Sequence, residues 1–163
     1  MPKSIKDKKA VVNIHNNDNL CFLWAVVAAF HPAPDWKNVS RVTSYPHYSQ
    51  VLNYSGIKFP ITLKDIPRFE KMNNLSINVY VQSDDTKMNI DDDNFENRVN
   101  NFERNFHFAT IRDLSRLLSS QILQHNGRKF FCDRCLCHFQ DLIVFNEHRR
   151  DCIQINKVKI ELP

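Results

Sequence analysis

The chain has 163 residues, 42% hydrophobic and 25% charged, enough to bury one core and a small appended unit. A net charge of +4 and a sequence pI near 8.8 are only mildly basic, too weak alone to mark a nucleic-acid binder. No apolar stretch approaches the roughly 20 residues that a membrane-spanning helix needs, so no membrane partner is expected.

Residues 1–12 are rich in lysine and are expected to form a disordered basic arm. Lys3, Lys6, Lys8 and Lys9 ahead of the apolar run Leu20–Phe30 imitate a secretory signal. The polar Asn16-Asn17-Asp18-Asn19 interrupts that pattern, and the run is too short to cross a bilayer. It is expected to be a buried helix capped by Asp18 or Asn19 and stopped by His31-Pro32-Ala33-Pro34. Residues 35–60 read as irregular, broken at Tyr45-Pro46, Gly56 and Phe59-Pro60. Leu63, Ile66 and Phe69 predict a short helix to about Met72, ended by Asn73-Asn74. The alternation from Ser76 to Gln82 predicts a strand with one buried face. Residues 83–105 are dominated by Asp, Asn and Glu and yield no element. Strand character resumes at His107–Ile111, and Leu114, Leu117, Leu118, Ile122 and Leu123 form a helical stripe. Asn126-Gly127 is the expected hinge, and residues 153–163 an exit segment.

Beyond that hinge, Cys132, Cys135, His148 and Cys152 carry the spacing Cys-x2-Cys-x12-His-x3-Cys. Zinc takes four tetrahedral N/S ligands, which two short ligand pairs supply from a hairpin and a helix. His148 and Cys152 lie four apart, on one helix face. Phe130, Phe139 and Phe145 occupy the positions of the small core of a ββα finger. Zinc is therefore the expected cofactor, and Cys137 and His138 fall outside the ligand spacing. Thiolate ligands imply a reducing compartment inside the cell, cytosol or nucleus. The base-reading positions of such a helix would be Asp141, Val144 and Glu147, none able to make a bidentate contact to guanine. A structural or protein-contacting finger is expected, with weak nonspecific nucleic-acid binding at most.

Cys21 opens the apolar helix, where unpaired amides and the helix dipole favour a thiolate. With His107 on a later strand, it has the makings of a nucleophile and its base. Asp113 lies six residues on, the same face of an extended strand, as a third member to orient His107; the other reading of Asp113 is a cap on the following helix.

Asp18-Asn19-Leu20-Cys21-Phe22, a short helix, a strand and then His107-Phe108 resemble the ovarian-tumour (OTU) class of papain-like cysteine peptidases. The resemblance covers roughly residues 15–113 and implies an oxyanion-shaping role for the Asp18 loop. A second resemblance runs along almost the whole chain. Asp18 to Val26, Leu63 to Glu70, Ile77 to Tyr80, Leu114 to Leu117 and Phe131 to Leu136 are similar to the N-terminal region of protein-primed family B DNA polymerases of Polinton (Maverick) transposons. There such a finger precedes the exonuclease and polymerase domains. No Asp-x-Glu exonuclease motif or polymerase carboxylate pair is present, so DNA synthesis by this chain alone is not expected. The chain departs from these relatives at 84–105, acidic and Asn-rich where they have further strands.

The expected fold is α+β: a basic arm over 1–12, a papain-like (OTU-like) domain over 13–125, a CCHC finger over 126–156 and a tail over 157–163. Three functions follow. The first is a noncatalytic, zinc-binding module derived, as the second resemblance implies, from the N-terminal region of a transposon DNA polymerase, with a protein partner, ubiquitin-like by the OTU resemblance. The second is an active thiol peptidase or deubiquitinase on Cys21 and His107. The third is a nucleic-acid-binding finger.

Overall fold

A computed structural model describes residue 1 and residues 3–34, 36–80, 107–122 and 128–155. It is a mixed α+β chain dominated by helices, with two small two-stranded sheets among the described residues. By compactness it divides into two units, residues 12–110 and residues 1–11 together with 111–163. This grouping puts the first eleven residues with those from 111 onward. The anticipated disordered arm carries structure: α1 (Lys3–Lys6) and β1 (Val11–Val12), with Ala10 fully buried between them. Within that unit the amides of Arg112 and Asp113 both donate to the Ala10 carbonyl, at 2.8 and 3.2 Å, and the Lys8 ammonium donates to the carbonyl of Leu117. Backbone partners, which composition does not report, order this lysine-rich stretch.

The core of residues 12–110 is built on α2 (Cys21–Phe30), which buries Phe22, Leu23, Trp24, Val26, Val27 and Ala28. A helix apolar on nearly all sides must be enclosed, and here two clusters enclose it. One packs Trp24 and Val27 with Val12, Ile14, Ala33 and Tyr45. The other packs Phe22, Leu23 and Val26 with Ile57, Ile61, Ile66 and Phe69. The stop at His31-Pro32 is where expected, but the cap is not. Leu20 holds the N-cap position without a side-chain bond, and Asp18 Oδ1 instead accepts from the Leu20 amide at 3.0 Å, closing the preceding turn.

Residues 36–60 are less irregular than expected, with single 3₁₀ turns at Trp36–Asn38 and Val42–Ser44 and a helical turn α3 (Tyr48–Val51). A 3₁₀ turn at Leu63–Asp65 leads into α4 (Ile66–Asn73), with Pro67 in its first turn. Asn74 ends it in the left-handed conformation at φ 52°, which Asn tolerates at a helix C-terminus. The Asn73 amide then clasps the Asn53 backbone, accepting from its N–H and donating to its carbonyl, each at 2.7 Å.

The expected strand over Ser76–Gln82 is not formed over residues 75–80, which carry no ladder; Gln82 lies outside the described residues. Leu75 and Ile77 still turn partly inward against the Phe69 cluster, which accounts for the alternation without strand pairing. The expected His107–Ile111 strand is confined to β2 (Thr110–Ile111). The stripe at 114–123 forms α5 (Leu114–Ile122). The readings of 83–105, of the Asn126-Gly127 hinge and of the tail at 157–163 fall outside the described residues.

Phe69 is fully buried and meets Phe22 edge-on at 5.0 Å between ring centroids. Phe69→Ala should cost about 3–5 kcal/mol of unfolding free energy. Phe30→Ala, at a ring 55% exposed, should stay within about 0.5 kcal/mol. Denaturant titration of the two variants checks the contrast.

Candidate functional site

Two constellations of chemically active side chains are assembled, one in each unit. The first lies in the C-terminal ββα stretch. Phe130–Phe131 (β3) pairs antiparallel with His138–Phe139 (β4), in register Phe130 to Phe139 and Phe131 to His138. Between the strands the chain turns back tightly: the Leu136 amide donates to the Cys132 carbonyl at 2.8 Å, and the Cys132 amide to the Cys137 carbonyl at 2.9 Å. Leu136 takes a left-handed φ of 61° to make this turn. Asp141 then caps the helix α6 (Leu142–Ile155), its Oδ1 accepting from Ile143 N at 2.6 Å. Phe130, Phe139 and Phe145 form the small core that their spacing predicted, with Phe145 5.7 Å from Phe130 and 6.0 Å from Phe139.

These elements bring Cys132, Cys135, His148 and Cys152 together, their ligand atoms all within 4.8 Å of one another. Cys132 Sγ lies 3.9 Å from Cys152 Sγ, and Cys135 Sγ lies 3.2 Å from His148 Nε2. The four side chains are positioned to hold a metal ion. The thiols are tuned to match. Burial pushes Cys132 and Cys135 upward, but hydrogen bonds outweigh it: from the Cys135 and Arg134 amides and His148 at Cys132, and from Cys137 and neighbouring thiols at Cys135. Both are held below the ordinary thiol range, as thiolate ligands require. Cys137 moves the other way, raised by its hydrogen bond to Cys135 and that group's charge. Left out of the cluster and exposed, it is not a ligand.

Asp141, just before α6, and Val144 and Glu147 on it are exposed, as base-reading positions would be, and exposed apolar residues lie next to them in the chain. Leu142, Ile143 and Val144 are 50, 69 and 49% exposed, and Leu136 is 51% exposed. Three consecutive apolar residues before Phe145 mark this exposed apolar stretch in the sequence.

The second constellation lies within residues 12–110. Cys21 is the first residue of α2, half-buried, and its Sγ accepts from the backbone amide of Phe108 at 3.5 Å. The packing that fixes this is next door, where the Phe22 and Phe108 rings meet edge-on at 5.1 Å. Adjacent residues of α2 thus face adjacent residues of the later segment: Phe22 on Phe108, with Cys21 beside the 107–108 backbone. Before Cys21 the Asp18 turn is tight, its carboxylate accepting from Leu20 N and from Asn16 Nδ2 at 2.5 Å.

The group on the His107 ring is Asn13, not Asp113: His107 Nε2 lies 2.6 Å from Asn13 Oδ1. An amide oxygen only accepts, so Nε2 carries the proton and Nδ1 keeps the lone pair. Asp113 is engaged elsewhere, its Oδ1 accepting from Arg116 N at 2.9 Å as a cap on α5. A six-residue spacing gives a shared face only in an unbroken strand, and β2 ends at Ile111. Asn13 sits between buried Val12 and Ile14, a polar residue in an apolar alternation; that was its sequence signal, obscured by reading the neighbouring residues as an arm. Desolvation above all pushes the His107 imidazole below its ordinary range, with positive charge, that of His15 included, adding to it.

The chain matches no family model, no curated protein and no solved structure.

His107 should titrate below the roughly 6.5 of a free imidazole. A lowered pKa means the unfolded chain binds more protons between the two midpoints, so this group's contribution to stability is lost as pH falls through that window. An NMR pH titration of the ring, in the native chain and in Asn13→Ala, measures both the midpoint and the tautomer that Asn13 fixes.

Proposed function

We propose that this chain is a zinc-stabilised, noncatalytic interaction module whose finger contacts protein rather than DNA. The observation that carries it is the closeness of the four ligand atoms. Zn–S bonds of ~2.3 Å at tetrahedral angles separate two sulfurs by about 3.8 Å, and Cys132 and Cys152 stand at 3.9 Å. Three thiolates and one imidazole suit zinc over hard cations, and four protein ligands leave no open position for a reacting group. A protein partner is favoured by the exposed Leu142-Ile143-Val144 surface, since an apolar patch beside acidic Asp141 and Glu147 suits neither phosphates nor base edges. The resemblance to the N-terminal region of Polinton-type polymerases supplies the setting, a module that accompanies a replicative enzyme.

Metal analysis should find close to one zinc per chain. Structural zinc supplies on the order of 10–16 kcal/mol of apparent binding free energy to isolated fingers, so chelation or Cys135→Ser should expose residues 128–155 to protease. An intact 128–155 without zinc would sink the assignment. Duplex DNA affinity should disappear by physiological salt whatever the sequence. Nanomolar sequence-dependent binding at that salt would overturn the protein-contact reading.

A second reading rests on the contact between Cys21 Sγ and the Phe108 amide together with the His107–Asn13 bond. In it Cys21 is the nucleophile, His107 Nδ1 takes its proton, Asn13 holds the ring, and a backbone amide at the start of α2 receives the developing oxyanion. An OTU-like, ubiquitin-directed activity is the form the resemblance implies. For the noncatalytic module, a ubiquitin-based electrophilic probe labels the native chain no more than Cys21→Ala. Labelling lost in both Cys21→Ala and His107→Ala would establish the enzyme instead.

A further inference from the structure

Within residues 12–110, α4 turns Ile66 and Phe69 into the core, and a basic stripe runs along its other side. Lys64 in the preceding 3₁₀ turn, then Arg68 and Lys71, follow at i, i+4 and i+7, and all three are exposed. The two carboxylates of this stretch are engaged elsewhere. Asp65 Oδ2 accepts from Thr62 Oγ1 at 2.7 Å, and Glu70 Oε1 accepts from the Ile77 amide at 2.5 Å. No carboxylate pairs with Lys64, Arg68 or Lys71 among the described residues.

The stripe adjoins a row of aromatic rings. Arg68 Nη1 donates to the Gly56 carbonyl at 3.3 Å, and the glycine admits it: a Cβ there would stand 3.0 Å from Nη2. Gly56 belongs to the turn that the Ile57 amide closes on the Tyr54 carbonyl at 3.1 Å, with exposed Lys58 just beyond. The Tyr54 ring lies 5.7 Å from Tyr48 and 6.1 Å from Phe59 between centroids, edge-on to each. All three rings pack against the Phe69 cluster and are left half-buried.

We propose that this surface is a nonspecific platform for single-stranded nucleic acid, with Lys58, Lys64, Arg68 and Lys71 on its phosphates and Tyr54 against a base. Cations without carboxylate partners suit a run of phosphates, and an adjoining aromatic ring suits an unpaired base. A duplex keeps its bases inside the stack, and an acidic peptide would use the charge and leave the ring idle. The modest net charge of +4 conceals this local concentration of cations. The platform is independent of the finger's partner and of Cys21.

Fluorescence anisotropy on the full chain tests it, with a labelled oligothymidylate of about 12 nucleotides at about 50 mM salt. A Kd on the order of 10 μM is expected. A hairpin duplex, an abasic strand of equal length and an oligoglutamate should each bind at least about fivefold more weakly. Lys64→Gln combined with Lys71→Gln should weaken binding at least about tenfold and lower the salt slope by about 1.4, at about 0.7 per phosphate contact. Tyr54→Leu should cost about fivefold or more on the oligothymidylate, nothing on the abasic strand, and leave the slope unchanged. Tyr54→Phe, which keeps the ring, should bind as the native chain does. Arg149→Gln combined with Arg150→Gln, on the finger helix, should leave affinity within about twofold. Absence of binding at low salt, equal affinity for the abasic strand or the duplex, or an oligoglutamate bound as tightly overturns the proposal. So does unaltered binding in the lysine pair or in Tyr54→Leu, or loss in the Arg149 and Arg150 pair.

Discussion

The Phe22 ring stands between Phe69 and Phe108, edge-on to each at 5.0 and 5.1 Å, and much of residues 12–110 depends on that double contact. Aromatic edges packed on faces fix orientation as well as distance, so three segments remote in sequence acquire one register. Because Phe22 follows Cys21, seating its ring in the core leaves the thiol at the margin, half-buried at the helix start. Because Phe108 follows His107, seating that ring leaves the imidazole at the surface, where Asn13 holds it. The Cys–His constellation is in this sense a by-product of core packing.

The finger solves the opposite problem. Three phenylalanine rings are too few to drive a stable core, and its helix spends apolar residues on its outer surface rather than inside. The four side chains positioned to hold a metal ion would, on the proposed reading, supply the missing stability. A unit fastened by metal is released from having to bury every apolar side chain it carries, and Leu142, Ile143 and Val144 occupy that freedom. In the proposed function, zinc and a protein-facing surface are two parts of one reading.

Electrostatics separate the roles of the chain's cysteines. Against the upward push of burial, backbone amides and His148 hold Cys132 down and hydrogen bonds from Cys137 and neighbouring thiols hold Cys135 down, while Cys137 is raised by its hydrogen bond to Cys135 and that group's charge. The tight turn at Leu136, which brings backbone amides to these sulfurs, and the His148 side chain together separate the neighbouring thiols. At Cys21 the sulfur accepts a backbone amide, an environment made by its position on α2 and the approach of residue 108.

By itself the sequence determined what local chemistry determines. The ligand spacing, the three finger phenylalanines, the enclosed helix α2, its stop at His31-Pro32 and the Asn73-Asn74 helix end were all legible, because each depends on residues within a few turns of one another. Tertiary structure decided the rest. Alternation at Ser76–Tyr80 specified one inward face but not a partner, and no ladder forms there over residues 75–80. Six-residue spacing put Asp113 with His107 only if the strand continued; the helix α5 begins first and takes the carboxylate as its cap. Asn13 reaches His107 across 94 positions of chain, and Ala10 is buried in a lysine-rich stretch because backbone donors from 112 and 113 meet it. Pairings of that kind are set by which rings share a core, a property of the folded chain that no window of sequence contains.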